Sequence, residues 1–228
     1  DMQAGKTALI YAASAGHTEI TRMLVDAGAN KDLQDMQAGK TALIYAASAG
    51  HTEIARMLVD AGANKDLQDM QAGKTAVIYA ASAGHTEIAR MLVDAGANKD
   101  LQDMQAGKTA LIYAASAGHT EITDMLVDAG ADKDLQDMQA GKTALIYAAS
   151  AGHTEIARML VDAGANKDLQ DMLAGKTALI YAASAGHTEI TRMLVDAGAD
   201  KDLQVARLLG AGAGWQDSSH ACSLRWSG

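Results

Sequence analysis

Residues 1–34 read DMQAGKTALIYAASAGHTEITRMLVDAGANKDLQ, and the string returns at Asp35, Asp69, Asp103, Asp137 and Asp171. Six copies of 34 residues (1–34, 35–68, 69–102, 103–136, 137–170 and 171–204) fill most of the 228-residue chain. Five positions vary. Gln3 becomes Leu173, Leu9 becomes Val77, and Thr21 alternates with Ala55, Ala89 and Ala157. Arg22 becomes Asp124, and Asn30 becomes Asp132 and Asp200. Self-similarity at this period marks a repeat architecture, so the fold of the chain reduces to the fold of one copy.

Within a copy, Thr7 is placed to cap a helix over 8–15, which Gly16 ends in a left-handed conformation. A second helix is predicted over 18–27. Its apolar Ile20, Met23, Leu24 and Ala27 fall on one face, with Met23 expected in the core. The polar stretch from Gly28 to Lys40 carries no helical period and suits a loop or hairpin finger. One such unit has too little apolar area to offset the entropy of ordering its backbone. Stacked neighbours supply the missing burial, which is the logic of a solenoid.

Composition narrows the function. Acidic residues outnumber basic ones by 28 to 19, a net charge of −9, and aromatics are 4%. A nucleic-acid groove or an anionic membrane surface would need a basic patch, so neither is expected as a partner. The single cysteine, Cys222, forms no disulfide framework and no Cys-rich zinc site. Apolar runs are short and broken by charges, so no segment is expected to span a bilayer. No leader is read at the start, and a cytoplasmic location is the expectation.

The run GKTALIYAASAGHTEI followed by MLVDAGAN resembles the ankyrin repeat. The family pattern G-x-T-P-L-H-x-A-A-x-x-G-H-x-E-I-V, then L-L-x-x-G-A-D/N, is met at Gly5, Thr7, Leu9, Ala12, Ala13, Gly16, His17, Glu19, Ile20, Leu24, Gly28 and Ala29. The resemblance implies an all-α solenoid of stacked helix-turn-helix units with β-hairpin or loop fingers. Ala8 stands at the family's Pro and Ile10 at its His, and the finger is one residue longer than usual. These departures suggest a less rigid array. Residues 205–214 look like a shortened half repeat that could cap copy six. Residues 215–228 match nothing in the repeat and are expected to be disordered.

No enzyme is expected, because catalysis needs one asymmetric constellation and nearly every residue here comes six times. Gly-Lys-Thr recurs, but Gln34 stands where a phosphate loop needs its first Gly, and no buried strand precedes it. Lys40 is read instead as a solvated side chain beside the capping Thr41. The recurring His17 forms a ladder rather than a chelate, and is expected to hydrogen-bond near a helix start. Tyr11 and its copies are expected to pack between helices with the hydroxyl at an edge. Cys222 and His220 lack a third group to orient them. No catalytic residue, metal or cofactor is assigned.

The resemblance implies instead that finger tips and the exposed side of the first helix bind a protein partner. The positions carried over are Met36, Met70 and Met104; Gln37, Gln71 and Gln105; Lys40, Lys74 and Lys108; Ser48, Ser82 and Ser116; and Gln68 and Gln102. Asp124 and Asp132 join them as an acidic spot. An ordinary copy holds three basic and four acidic residues, whereas copy four holds two and six. The alternative is a structural protein that self-associates end to end, as a homo-oligomer, because copy one shows no polar capping unit.

Overall fold

A computed structural model describes residues 5–203. The half repeat predicted at 205–214 and the tail at 215–228 lie outside the described residues. Six helix pairs follow one another: α1 (Ala8–Ser14) and α2 (Thr18–Asp26), α3 (Ala42–Ala49) and α4 (Thr52–Asp60), α5 (Ala76–Ala83) and α6 (Thr86–Asp94). The series continues with α7 (Ala110–Ala117) and α8 (Thr120–Asp128), α9 (Ala144–Ala151) and α10 (Thr154–Asp162), α11 (Ala178–Ala185) and α12 (Thr188–Asp196).

The local signals act as the sequence predicts. Thr41 sits in extended backbone and its hydroxyl accepts the Ile44 N–H at 3.2 Å, which caps α3. Gly50 ends α3 at φ +79°, a conformation in which a Cβ would be strained. The second helix closes on Ala61 and then Gly62 at φ +85°. The expected fingers are turns rather than paired strands, and no strand occurs among the described residues. Each turn is closed by its own backbone, as in Asp69 N–H to Lys74 O at 3.1 Å and Gly73 N–H to Asp69 O at 3.0 Å.

Each first helix packs on its own second helix and on the first helix of the next copy. Consecutive second helices meet less closely. The core is a continuous ribbon of small and branched residues. Leu43, Ile44, Ala46, Ala47, Ile54 and Leu58 are all essentially inaccessible in copy two, and their counterparts repeat the pattern. Ile44 stands where the family has His, and there it joins the core. Every buried polar side-chain atom among the described residues has a hydrogen-bond partner.

Met23 departs from its expected place. It is 63% exposed at the open face of copy one, and Met57 and Met91 are half-buried. The helical period places this position at the rim of the apolar stripe, and only Met125 sinks into the core.

Candidate protein-interaction surface

The fingers at 35, 69, 103, 137 and 171 each open on a buried aspartate. Asp69 accepts N–H groups from Gln71 at 2.9 Å, Ala72 at 2.7 Å and Lys74 at 3.1 Å, and the Tyr79 hydroxyl at 3.0 Å. The carboxylate thus organises the turn and anchors a ring from the first helix. Burial pushes Asp35 toward neutrality. The N–H groups of Ala38 and Gln37, the Tyr45 hydroxyl and the Lys40 N–H outweigh that and hold it below the usual carboxylate value. Asp171 is lowered by the same balance, through Ala174, Tyr181, Leu173 and Lys176. A depressed folded pKa stabilises the fold above the unfolded value, and that contribution is lost as pH falls through the folded one.

Neighbouring fingers are tied by backbone and side chain. Met70 N–H donates to Ala38 O at 2.9 Å, and Met104 N–H to Ala72 O at 2.8 Å. The Gln68 amide donates to Gly73 O at 2.6 Å in its own turn and to Gln102 O at 3.0 Å in the next copy. Gln102 does the same toward Gly107 and Gln136. Gln68 and Gln102, expected at the partner surface, are therefore half-buried staples between copies.

The lysines are not simply solvated. Lys40 Nζ lies 5.5 Å from the Tyr45 ring centroid and 4.4 Å from that of Tyr79. Lys74 lies between Tyr79 and Tyr113, and Lys108 between Tyr113 and Tyr147. The result is an alternating row of cations and rings along the first-helix side, each within cation–π range. Tyr45, Tyr79, Tyr113, Tyr147 and Tyr181 pack between elements as expected, and each hydroxyl also meets a carboxylate that the sequence did not flag, whereas Tyr11 is 43% exposed. The five-residue step from Lys40 to Tyr45 was the available signal for the row.

The phenols carry a measurable consequence. Burial first, then the adjacent carboxylate, raises Tyr79, Tyr113 and Tyr147 far above 10. The same causes push Tyr181 up to about 12. The neutral phenol stabilises the fold fully below the unfolded pKa of about 10. That stability is lost as pH rises from there through the folded values. Ultraviolet titration of the phenolate band should therefore show most tyrosines ionising only with alkaline unfolding. Smooth titration of all six near pH 10, with the helix signal intact, would contradict this arrangement.

The remaining predicted positions divide clearly. Met36 is 82% exposed, and Met70 and Met104 are 70% exposed. Gln37, Gln71 and Gln105 are exposed beside them, with the Gln71 amide reaching back to Gln37 O at 3.2 Å. Ser48, Ser82 and Ser116 are half-buried one helix away, and the Ser82 and Ser116 hydroxyls donate to Tyr79 O and Tyr113 O. The methionines and glutamines of the finger tips thus form the free edge, with lysine and tyrosine as its inner wall.

Asp124 and Asp132 lie apart from this edge. Asp132 is absorbed into a turn. It accepts Asp134 N–H at 2.9 Å, the bond Asn64 makes to Asp66 N–H, and its own N–H donates to Asp100. Asp124 is exposed on the second-helix side. There Arg22–Glu53, Arg56–Glu87, Arg90–Glu121 and Arg158–Glu189 bridge neighbouring copies at 2.9–3.3 Å. Asp124 takes the arginine position opposite Glu155, so like charges face each other at the junction of copies four and five. Asp124→Arg should restore the bridge and stabilise the array by about 1 kcal/mol, the sum of a small gain and a small repulsion removed. A melting midpoint no higher than the parent's would show that this junction does not sense the charge.

The histidines serve packing. His51 stands at the start of α4 without a side-chain capping bond, and its ring lies where a Cβ on Gly16 would fall, 2.9 Å from Cε1. His187 Nε2 also lies 3.3 Å from Ser150 O. No group of three His, Cys, Asp or Glu converges on a metal position among the described residues. No helix there is long and apolar enough to cross a membrane.

A family model described as ankyrin repeats in three copies matches residues 1–69, 66–137 and 130–205. No curated protein matches. Among solved structures the chain is similar to an ankyrin repeat domain from Acinetobacter baumannii AYE. Identity is 32% and TM-score 0.78, over 84% of this chain and 98% of that one. It is also similar to the ankyrin repeat domain of Bcl-3, described as a unique member of the IkappaB protein family. There identity is 28% and TM-score 0.79, over 89% of this chain and 91% of that one.

Proposed function

This chain belongs to the ankyrin-repeat family, and from that premise we propose that it is a non-catalytic adaptor that holds a protein partner along its finger edge. The observation that carries the reading is the row of exposed methionines, one per finger from Met36 to Met172, each 60–82% exposed. Methionine is flexible and polarisable and suits surfaces that adapt to a partner's apolar side chains. The glutamines beside it offer amide hydrogen bonds, and the lysine–tyrosine row limits approach from the inner side. Because the edge repeats every copy, it fits an extended apolar segment contacting several fingers. A cytoplasmic setting belongs to the same reading, since a fold held without disulfides needs no oxidising compartment.

Peptides selected on the intact array from a random library test this. Bound peptide should protect Met70 and Met104 from mild oxidation, and the pair Met70→Glu with Met104→Glu should weaken binding at least tenfold. Selected peptides that protect neither methionine, or ignore the double substitution, would refute the finger-edge site.

A further inference from the structure

Within a copy the charges sit on two different sides. In copy two, Glu53, Arg56 and Asp60 stand on α4, and Lys65 and Asp66 on the loop after it. Arg56 is spent on Glu87 of the next copy. The finger contributes only a buried aspartate and a half-buried lysine, Asp35 and Lys40 in this copy. A carboxylate has about four acceptor sites, and the turn fills them. Asp69 Oδ1 takes the Gln71 and Ala72 N–H groups, and Oδ2 takes the Lys74 N–H and the Tyr79 hydroxyl. No acceptor is left for an ammonium. Among the described residues, Lys40, Lys74, Lys108 and Lys142 make no ion pair, although the chain carries a net charge of −9.

These unpaired cations are held in place and evenly stepped. Each ring from Tyr45 to Tyr181 has one ammonium 4.3–4.7 Å from its centroid and a second at 5.5–5.7 Å. Neighbouring first helices are in contact, which sets the step from copy to copy at about 8–10 Å. Lys40 and Lys74 agree with that step, since they lie 4.4 and 5.7 Å from the same Tyr79 centroid. A β-strand returns a side chain to one face every second residue, after about 6.6–6.8 Å, which falls short. A polyproline II chain has three residues per turn and a rise of about 3.1 Å, so every third side chain returns after about 9 Å. The exposed methionines recur once per copy beside the lysines, so a second face of the same chain can meet them.

We propose that the finger edge selects an acidic segment in the polyproline II conformation, with a carboxylate at every third residue on the lysine row and an apolar side chain at every third residue on the methionines. This rests on the finger-edge reading above and specifies the partner's chemistry. Nucleic acid fits the row less well. The chain's net negative charge repels a polyanion, and two ammoniums at each ring crowd the faces on which bases would stack.

Fluorescence anisotropy on the full chain, with three labelled twelve-residue peptides, tests this. They are (Glu-Leu-Pro)4, its neutral analogue (Gln-Leu-Pro)4, and a peptide of the first one's composition with its glutamates in one block. Exposed ion pairs are individually weak, and several together should give the first peptide about a tenfold preference over either control. Lys74→Gln with Lys108→Gln should remove that preference. Lys65→Gln with Lys99→Gln removes the same charge from the loops and should keep it, and helix content verifies that both variants fold. Equal affinity for the first peptide and the neutral one overturns the acid requirement, as does binding of neither. Equal affinity for the block peptide overturns the spacing. Displacement of the first peptide by an oligothymidine at lower concentration than by its own unlabelled copy would assign the row to nucleic acid instead. The finger-edge reading fails separately, if Met70→Glu with Met104→Glu leaves every affinity unchanged. Tight binding of the neutral peptide that this pair abolishes would keep the edge and overturn only the acidic partner.

Discussion

Gly73→Ala is expected to cost about 3 kcal/mol, although it adds one methyl group to a turn. Gly73 sits at φ +67°, where an L-residue pays roughly 1–2 kcal/mol for its Cβ. The added carbon would also fall 2.6 Å from the Met104 main-chain nitrogen and 2.3 Å from its Cγ. The side chain can rotate away, but the nitrogen cannot, because it donates to Ala72 O across the finger junction. Either that bond breaks or the two fingers part. Gly62→Ala is the matched control, with φ +85° and nothing within 4 Å of the added carbon. It should cost only the conformational part. Denaturant midpoints for the two variants separate the terms, and equal losses would remove the finger contact from the account.

Asp103→Ala should be worse, at about 3–5 kcal/mol. The carboxylate is fully buried and accepts Gln105, Ala106 and Lys108 N–H groups at 2.9, 2.6 and 3.1 Å, and the Tyr113 hydroxyl at 3.0 Å. Removing it leaves four donors facing an apolar gap. Tyr113→Phe deletes only one of those bonds together with its donor, and should cost about 1 kcal/mol. If chemical denaturation shows the two variants losing the same stability, the aspartate is not the organiser of the finger. The parent should also retain its finger-amide protection in hydrogen exchange, whereas Asp103→Ala should lose it first around 103–108.

These two residues mark where sequence reasoning reaches and where it stops. Thr41, Gly50 and Gly62 could be read as caps because their bonds close within four residues, and the helical period of Ile54 and Leu58 is likewise local. The role of Asp69 is partly local too, since an aspartate opening a turn that a glycine closes is an Asx signal. The contacts of Lys74 and Gln68 are not legible for a different reason. Their partners, Tyr113 and Gln102, lie one copy further on, and a surface position judged from its own copy looks free. The methionines and glutamines of the finger tips stay exposed once the copies are stacked, although the Gln71 amide also reaches Gln37 O of the preceding copy. In the candidate surface, then, exposure survived where the side chain points along no neighbour, and failed where the repeat supplies its own ligand.

The confinement of the junction bonds to adjacent copies, at one fixed spacing, has a consequence for heredity. A duplicated block of 34 residues arrives carrying both halves of a junction, so it inserts without asking any existing residue to change. A deletion of one whole block closes up just as smoothly. Gains or losses of any other length displace Gly from His, Asp from amide and Lys from ring at once. Copy number is thus nearly neutral to the fold, while reading length within a copy is held rigid. Near-identical copies are also the substrate on which unequal exchange works most readily, so the geometry that makes the array stable also lets its length drift between generations.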